Sequence, residues 1–232
     1  MIDLFIRAWP LLVSGTVLTV VLGVVSFLLA LPIGLGLAVA RLYGPRLLRV
    51  PARIAVSFLC GTPLLVQILL LYYGLPQVGV VLPAIPTVIA AFALHSGAFI
   101  GEDLRGVIGS VEPGQWDAGA SLGLKPALVL FLIVLPQALR AAIPTLGTRF
   151  IGAVKETSLA SVVTVVELTR VAEKVGSSSF RYLEMFVIAA AIYWALSFAI
   201  ARLQQVIESR FATCDVTGSS RRAAPQRMAS AT

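Results

Sequence analysis

The side chains able to do chemistry in this 232-residue chain are few, and most lie inside long apolar runs. His95 is its one histidine and is followed by Ser96. Thr62 and Gln67 fall in another apolar run, and Lys155-Glu156-Thr157-Ser158 sets two opposite charges beside two hydroxyls. No spacing of His, Cys, Asp or Glu fits a metal. No Gly-x-x-x-x-Gly-Lys-[Ser/Thr] loop is present to cradle nucleotide phosphates. We assign no catalytic residue. Polar groups stranded among apolar residues suit two other tasks: hydrogen bonds between neighbouring helices, or contact with a polar solute crossing an apolar phase. Both readings stand for Thr62 and Gln67, and for His95 with Ser96. For Lys155 and Glu156 the alternatives are a structural ion pair and a place near a solute or gate. Glu102 and Arg105 are three apart and can pair on one helix face.

A second stretch, Glu112–Gln137, reads EPGQWDAGASLGLKPALVLFLIVLPQ. Pro113 suits a first helical residue, and Gly123 suits the left-handed position just past a helix end. The spacing predicts a short helix over 113–122. Asp117 lies early in it, where a carboxylate complements the positive end of the dipole. Trp116 and Ala120 share a face. Ala118, Gly119, Ala120 and Gly123 are small enough for another protein's surface to approach closely. Such a helix is a docking knob between two spans.

The elements that position these groups follow from composition. Hydrophobic residues make up 58% of the chain and charged residues 12%, about half the charged share of an ordinary soluble domain. No charge lies between Arg7 and Arg41, between Arg53 and Glu102, or between Glu184 and Arg202. A spanning helix needs about 20 apolar residues, so the chain is an integral membrane protein. The expected fold is an all-α, polytopic helical bundle with five spans, at about 11–40, 52–72, 87–108, 126–147 and 182–203. Pro32 is a candidate kink in the first. The second ends where Gly74, Pro76, Gly79, Pro83 and Pro86 interrupt the pattern. The fourth spans only if Arg140 faces protein. Residues 1–210 then form one transmembrane domain, and 211–232, rich in Ser, Ala, Thr and Arg, form a disordered tail in contact with lipid.

The net charge of +7 does not point to nucleic acid. The basic residues cluster at the ends of apolar runs, where they orient a protein in the bilayer, and there is no basic face with interleaved aromatics. Arg41, Arg46, Arg49 and Arg53 put the first connection on the cytoplasmic side, and the tail with it. The N-terminus is then outside. The segment from Arg149 to Arg181 runs against this rule, because it is expected outside and carries five basic residues. Cys60 and Cys214 are not expected to pair, and no removable signal peptide is expected at the N-terminus.

The second stretch resembles the coupling loop of ATP-binding-cassette importer permeases: Glu-Ala-Ala, three residues, Gly, nine residues, Ile-x-Leu-Pro. It does so through Asp117-Ala118-Gly119, Gly123 and Ile133-Val134-Leu135-Pro136. Asp117 and Gly119 depart from the pattern conservatively. Gly61-Thr62-Pro63-Leu64-Leu65-Val66-Gln67, Ala98–Gly106, Lys155-Glu156-Thr157-Ser158-Leu159 and Glu167-Leu168-Thr169 resemble the polar amino acid branch of the same family. The resemblance covers about residues 10–210. Cys60 stands where the family usually has Arg, and His95 where it often has Asn. Both departures bear on the substrate more than on the mechanism.

The resemblance implies a permease subunit that is not itself an enzyme and holds no cofactor. ATP and Mg would be bound by a dimer of partner ATPase subunits. A second permease, identical or similar, and an extracytoplasmic solute-binding protein complete the assembly in the bacterial inner membrane. Trp116, Asp117, Ala118, Gly119, Ala120, Gly123, Leu135 and Pro136 would couple to the ATPase. Thr62, Gln67, His95, Ser96, Lys155, Glu156, Thr157 and Ser158 are the candidates for the path of a polar amino acid. The rivals are an ion-coupled secondary transporter, which would need ion sites and often repeated halves, and a structural membrane scaffold.

Overall fold

Ile2–Tyr43 winds into a single helix, α1, straight through Pro10 and Pro32. Neither proline ends it. In a computed structural model describing residues 2–212, all regular structure is helical: α2 Arg46–Gly61, α3 Leu64–Leu69, α4 Ala84–Gly109, α5 Pro113–Ser121, α6 Pro126–Val129, α7 Leu135–Glu156, α8 Leu168–Ser179 and α9 Tyr182–Ala212. From residue 213 onward the expected tail lies outside the described residues. Four stretches are long and apolar enough to cross a membrane: Phe5–Tyr43, Ala84–Gly109, Pro126–Val163 and Tyr182–Arg210. Arg46–Gly61 and Leu64–Val78, bent by 110° at their junction, make a fifth crossing when counted as one span.

That bend corrects the uninterrupted second helix expected over 52–72. Pro63 lacks an N–H, and it pushes the preceding Thr62 into extended backbone at φ −113°, ψ 144°. The carbonyls at the end of α2 then lack helical partners. The amide of Gln67 supplies them, donating to the carbonyls of Leu59 (2.8 Å) and Thr62 (3.1 Å) and to Thr62 Oγ1 (2.9 Å). Gln67 is 5% exposed. Gln67→Leu keeps the volume and removes the donor that both carbonyls share. It is expected to cost about 1–3 kcal/mol, read as a lower melting midpoint of the purified protein. The chain beyond α3 stays wound through a π turn (Leu70–Gly74) and a 3-10 turn (Leu75–Val78) before Gly79 stops it at φ +85°.

The fourth span also runs past its expected end at 147. Helix α6, a π turn at Leu130–Val134, α7 and a 3-10 segment at Thr157–Val163 follow without a gap. Pro136 cannot donate to a carbonyl one turn back, which accounts for the widened turn just before it. Arg140 is exposed on this span, so any protein it faces belongs to another subunit. The other ends also move: α1 starts upstream of 11, and α9 continues past 203.

Helix α1 is the spine, and three apolar clusters form along it. One joins it to α4, α6 and α7 around Ala30, Ile100, Leu104, Val134 and Ala138. A second joins it to α3, α4 and the 3-10 segment around Leu22, Ile68, Phe92 and Val163. A third joins it to α8 and α9 around Leu12, Leu168 and Met185. Small residues let α1 and α4 meet closely. A Cβ on Gly34 would stand 2.6 Å from Ile100 Cγ2 and 2.9 Å from the Gly97 carbonyl oxygen.

Helix α8 is capped by Glu167, which is fully buried and accepts from the N–H groups of Thr169 (2.8 Å) and Arg170 (2.9 Å) and from the Tyr193 hydroxyl (2.8 Å). Burial pushes the Glu167 carboxyl above the usual carboxylate range, although these three donors pull it down. The basic residues between 149 and 181 are largely neutralised inside the chain. Arg149 pairs with Asp103, Arg170 with Glu173 and Arg181 with Glu184.

Candidate functional site

Two helices bring polar residues together inside the membrane-spanning bundle. On α4, His95, Ser96 and Phe99 share a face. On α7, Thr145, Thr148, Arg149, Gly152 and Glu156 recur at helical spacing and form a second polar stripe. Between the stripes lies a cavity of about 310 Å³ lined by these eight residues.

Arg149 organises its floor. Its Nε donates to Asp103 Oδ2 at 2.7 Å and its Nη2 to Oδ1 at 3.2 Å, a two-pronged pair. The guanidinium lies over the Phe99 ring, 4.8 Å from the centroid. His95 meets the same ring edge-on at 5.1 Å, and its Nδ1 is buried with no hydrogen-bond partner. Glu156 is half-buried and makes no hydrogen bond or ion pair among the described residues. Gly152 carries no side chain into the space between Arg149 and Glu156, and nothing lies within 4 Å of where its Cβ would be.

Of the expected pathway residues, His95, Ser96 and Glu156 meet at this cavity. The others do not. Thr62 and Gln67 belong to the α2–α3 break. Lys155 is exposed, one step round the helix from Glu156, so the two form no ion pair. Thr157 is fully buried and donates to the Val154 carbonyl at 2.7 Å, and Ser158 donates to the Lys155 carbonyl at 2.9 Å. Phe99, Thr145, Thr148, Arg149 and Gly152 were missed. The signal that reveals the α7 members is their helical spacing, visible only if that helix continues past 147. Arg41, Glu102 and Arg105 form a separate ion cluster in which Glu102 bridges the two arginines, the Arg105 contact being 3.0 Å.

At one end of the bundle, α5 stands clear of the spans. Gly123 takes φ +75°. Its N–H bonds the Ala120 carbonyl (2.9 Å), and the Leu124 N–H reaches the Gly119 carbonyl (3.1 Å), so both close the helix end. Asp117, Ala118, Ala120 and Leu122 are exposed, Leu122 by 78%. Gly119 is buried instead, against the expectation that it leaves room for another protein. A Cβ there would fall 2.6 Å from Val129 Cγ2, so its smallness serves the seat of α5 on α6. Trp116 packs against Tyr43, with ring centroids 5.4 Å apart. Gln115 accepts from Gln137 at 3.2 Å. Leu135 is buried in the α1–α4–α7 cluster, and Pro136 follows it at the start of α7. This end of α1 carries Arg41.

Comparison with known proteins agrees with this arrangement. Residues 30–213 match the family described as binding-protein-dependent transport system inner membrane component. The chain is 37% identical over 209 residues to the probable amino-acid ABC transporter permease protein YckA of Bacillus subtilis, covering 90% of this chain and 92% of that one. It is 40% identical over 203 residues to the L-cystine transport system permease protein TcyB of the same organism, covering 87% of each. Among solved structures, an amino acid ABC transporter crystallised with histidines superimposes with a TM-score of 0.83 at 34% identity, over 89% of this chain and 96% of that one. The chain therefore belongs to the family of inner-membrane components of binding-protein-dependent transport systems, the permease subunits of ATP-binding-cassette importers.

Proposed function

We propose that this permease carries a polar amino acid across the inner membrane through the cavity between α4 and α7. It would receive the amino acid from a solute-binding protein, and ATPase subunits docked on α5 would drive the transport. The observation that carries this reading is an arginine and a carboxylate, Arg149 and Glu156, set along one face of α7 at a cavity within the membrane-spanning bundle. A free amino acid offers a carboxylate and an ammonium group, and a guanidinium fork is well matched to the former. Ser96, Thr145 and Thr148 add hydroxyls that donate or accept. Two relatives named for amino acids point the same way.

ATP and Mg belong to the ATPase pair, and this chain holds no cofactor. A second permease, identical or similar, would cover the apolar faces left exposed. Residues 1–210 would act as one transmembrane domain. The N-terminus lies outside and the C-terminus in the cytoplasm: α5 packs at the end of α1 that carries Arg41, next to Arg46, Arg49 and Arg53, so the basic end and the docking end coincide. ATP binding must favour one state of the assembly over the other for α5 to transmit anything.

The test is reconstitution with the ATPase and the binding protein in proteoliposomes, following labelled polar amino acids with and without ATP. Uptake is expected only with ATP, and Gly123→Asp, which puts a side chain at a left-handed position, is expected to suppress it. Uptake that follows an ion gradient and ignores ATP would replace this reading with a secondary transporter.

A further inference from the structure

We infer that the cleft between α1, α7 and α9 binds an anionic phospholipid of the cytoplasmic leaflet, with its phosphate on Arg140 and one acyl chain laid between the helices. The choice of leaflet rests on the orientation given above. The site itself does not depend on the amino acid reading.

The cleft is made of two hollows that share Ile143 and Leu146 of α7. The one nearer α5, about 560 Å³, is walled by Leu31 and Leu35 of α1 and Leu104 of α4, and Arg140 is the charged residue in its lining. The other, about 350 Å³, lies between Val24 and Phe27 of α1, Phe150 of α7 and Ile200 of α9. Gly147 lets α9 close on α7 here, since a Cβ on it would stand 2.3 Å from Gln204 Cδ. The Gln204 amide fastens that contact, donating to the Pro144 carbonyl (3.0 Å) and to Glu208 (2.6 Å). Apart from Arg140 and Gln204 the lining is apolar. Arg140 and Phe150 are ten residues apart, about 15 Å at 1.5 Å per residue. That is half of a hydrocarbon core about 30 Å thick, the depth of one leaflet. A cleft of this length and lining suits one acyl chain.

Charge identifies the occupant. Arg140 is exposed and has no hydrogen bond, ion pair or ring contact among the described residues. A lone cation within a span is costly. Leu104, which lines the same hollow, is five residues from the end of α4 at Gly109, about 8 Å. Arg140 therefore lies just inside the cytoplasmic boundary. Helical side chains lean toward the N-terminus of their own helix, which for α7 is the cytoplasmic end. The stem of an arginine can cover apolar wall while its guanidinium reaches the headgroups. Phosphate oxygens are the anions at that level, and a guanidinium fork matches them. Arg41 and Arg105 share one carboxylate, Glu102, so this end of the bundle carries a surplus of positive charge. That surplus favours a headgroup of net negative charge over a zwitterionic one. A second copy of this chain does not supply what Arg140 lacks. The carboxylates within the described spans, Glu102, Asp103, Glu156, Glu184 and Glu208, all have polar or charged neighbours of their own.

The experiment uses the permease–ATPase complex in phosphatidylcholine nanodiscs. Each preparation carries a trace of phosphatidylglycerol or of phosphatidylcholine with a diazirine in its acyl chain. After illumination, labelled peptides are identified by mass spectrometry. The phosphatidylglycerol probe is expected to label residues 143–150 and 200–207 about fivefold more than the phosphatidylcholine probe, the weight of one basic residue at an anionic surface. Arg140→Gln is expected to level the two probes, and Arg140→Lys to keep most of the preference. Arg140 bonds to no described neighbour, so neither substitution breaks a contact that holds the fold. Ile143→Trp, which fills the cleft, is expected to lower labelling by both probes. Equal labelling of the wild type by the two probes, or a preference that Arg140→Gln leaves unchanged, would overturn the inference. So would labelling that Ile143→Trp does not alter. Protection of these residues from both probes, with cysteine pairs cross-linking two permeases here, would give the cleft to a second copy instead. None of these readouts needs transport, so failure of this inference leaves the importer reading standing.

Discussion

Arg149→Met is expected to reduce ATP-driven uptake by at least about a hundredfold. The substitution removes the proposed anchor for the substrate carboxylate, takes the cation partner from Asp103 and leaves no cation lining the cavity. Breaking a buried pair by removing one partner costs about 3–5 kcal/mol. The Arg149 and Asp103 side chains are 38% and 17% exposed, so solvent screening brings the cost down to roughly 2–3 kcal/mol. Arg149→Lys keeps the charge and loses the two-pronged geometry and the ring stacking, and a smaller loss, about tenfold, is expected. The double variant Arg149→Met with Asp103→Leu separates stability from transport. It should regain the melting midpoint lost in the single variant and stay transport-dead. Recovery of uptake in the double variant would show that Arg149 serves only to neutralise Asp103.

Gly119→Leu is expected to disconnect ATP hydrolysis from transport. A Cβ at this position already meets Val129 at 2.6 Å and 2.9 Å, and a whole side chain forces α5 off its seat. Overpacking of this kind costs about 1–3 kcal/mol. Only α5 and α6 need to separate, so the spans should still fold. The expected result is loss of stimulation of the ATPase by the loaded binding protein, together with loss of uptake, at an unchanged melting midpoint of the spanning bundle. Ala118→Leu is the companion. Ala118 is exposed and has no neighbour to clash with inside the chain, so it disturbs the partner's surface alone. If Gly119→Leu blocks stimulation and Ala118→Leu does not, α5 matters for internal packing and its exposed face does not carry the ATPase.

The chain's charge-free runs made its membrane nature and the number of spans legible, because length and apolarity are conditions every spanning helix must meet. The docking helix was legible for a different reason. Pro113 and Gly123 act through local backbone geometry, which needs no knowledge of the rest of the fold. The helix break at Thr62–Pro63 went unread, because apolar composition continues across it and the repair is made by Gln67 from the next helix. Gln67 therefore looked like a pathway residue. The cavity was half legible for a related reason. Ending the fourth span at Gly147 cut Arg149, Gly152 and Glu156 away from Thr145 and Thr148, and the stripe they form vanished. Arg149 was then counted as a violation of loop charge, whereas Asp103, 46 residues earlier, cancels it. Pairing across helices is a tertiary fact. So is the inward turn of Gly119, since either side of a nine-residue helix could have been the packed one.

The unbroken course of α1 sets the gearing of the molecule. At 42 residues the helix is about 63 Å long, with α5 seated near one end and α8 near the other. It has no break along its length, whereas the second and fourth spans carry a bend or π turn. Pivoted at one end, a rod of that length turns through about 5° to carry its far end roughly 5 Å. A displacement small beside a side chain at the α5 end is thereby magnified at the opposite end, where α8 and the cap around Glu167 sit. The residues that fix the gain of this lever are the small ones along α1, Gly15, Gly23 and Gly34, at which neighbouring helices bear directly on its backbone.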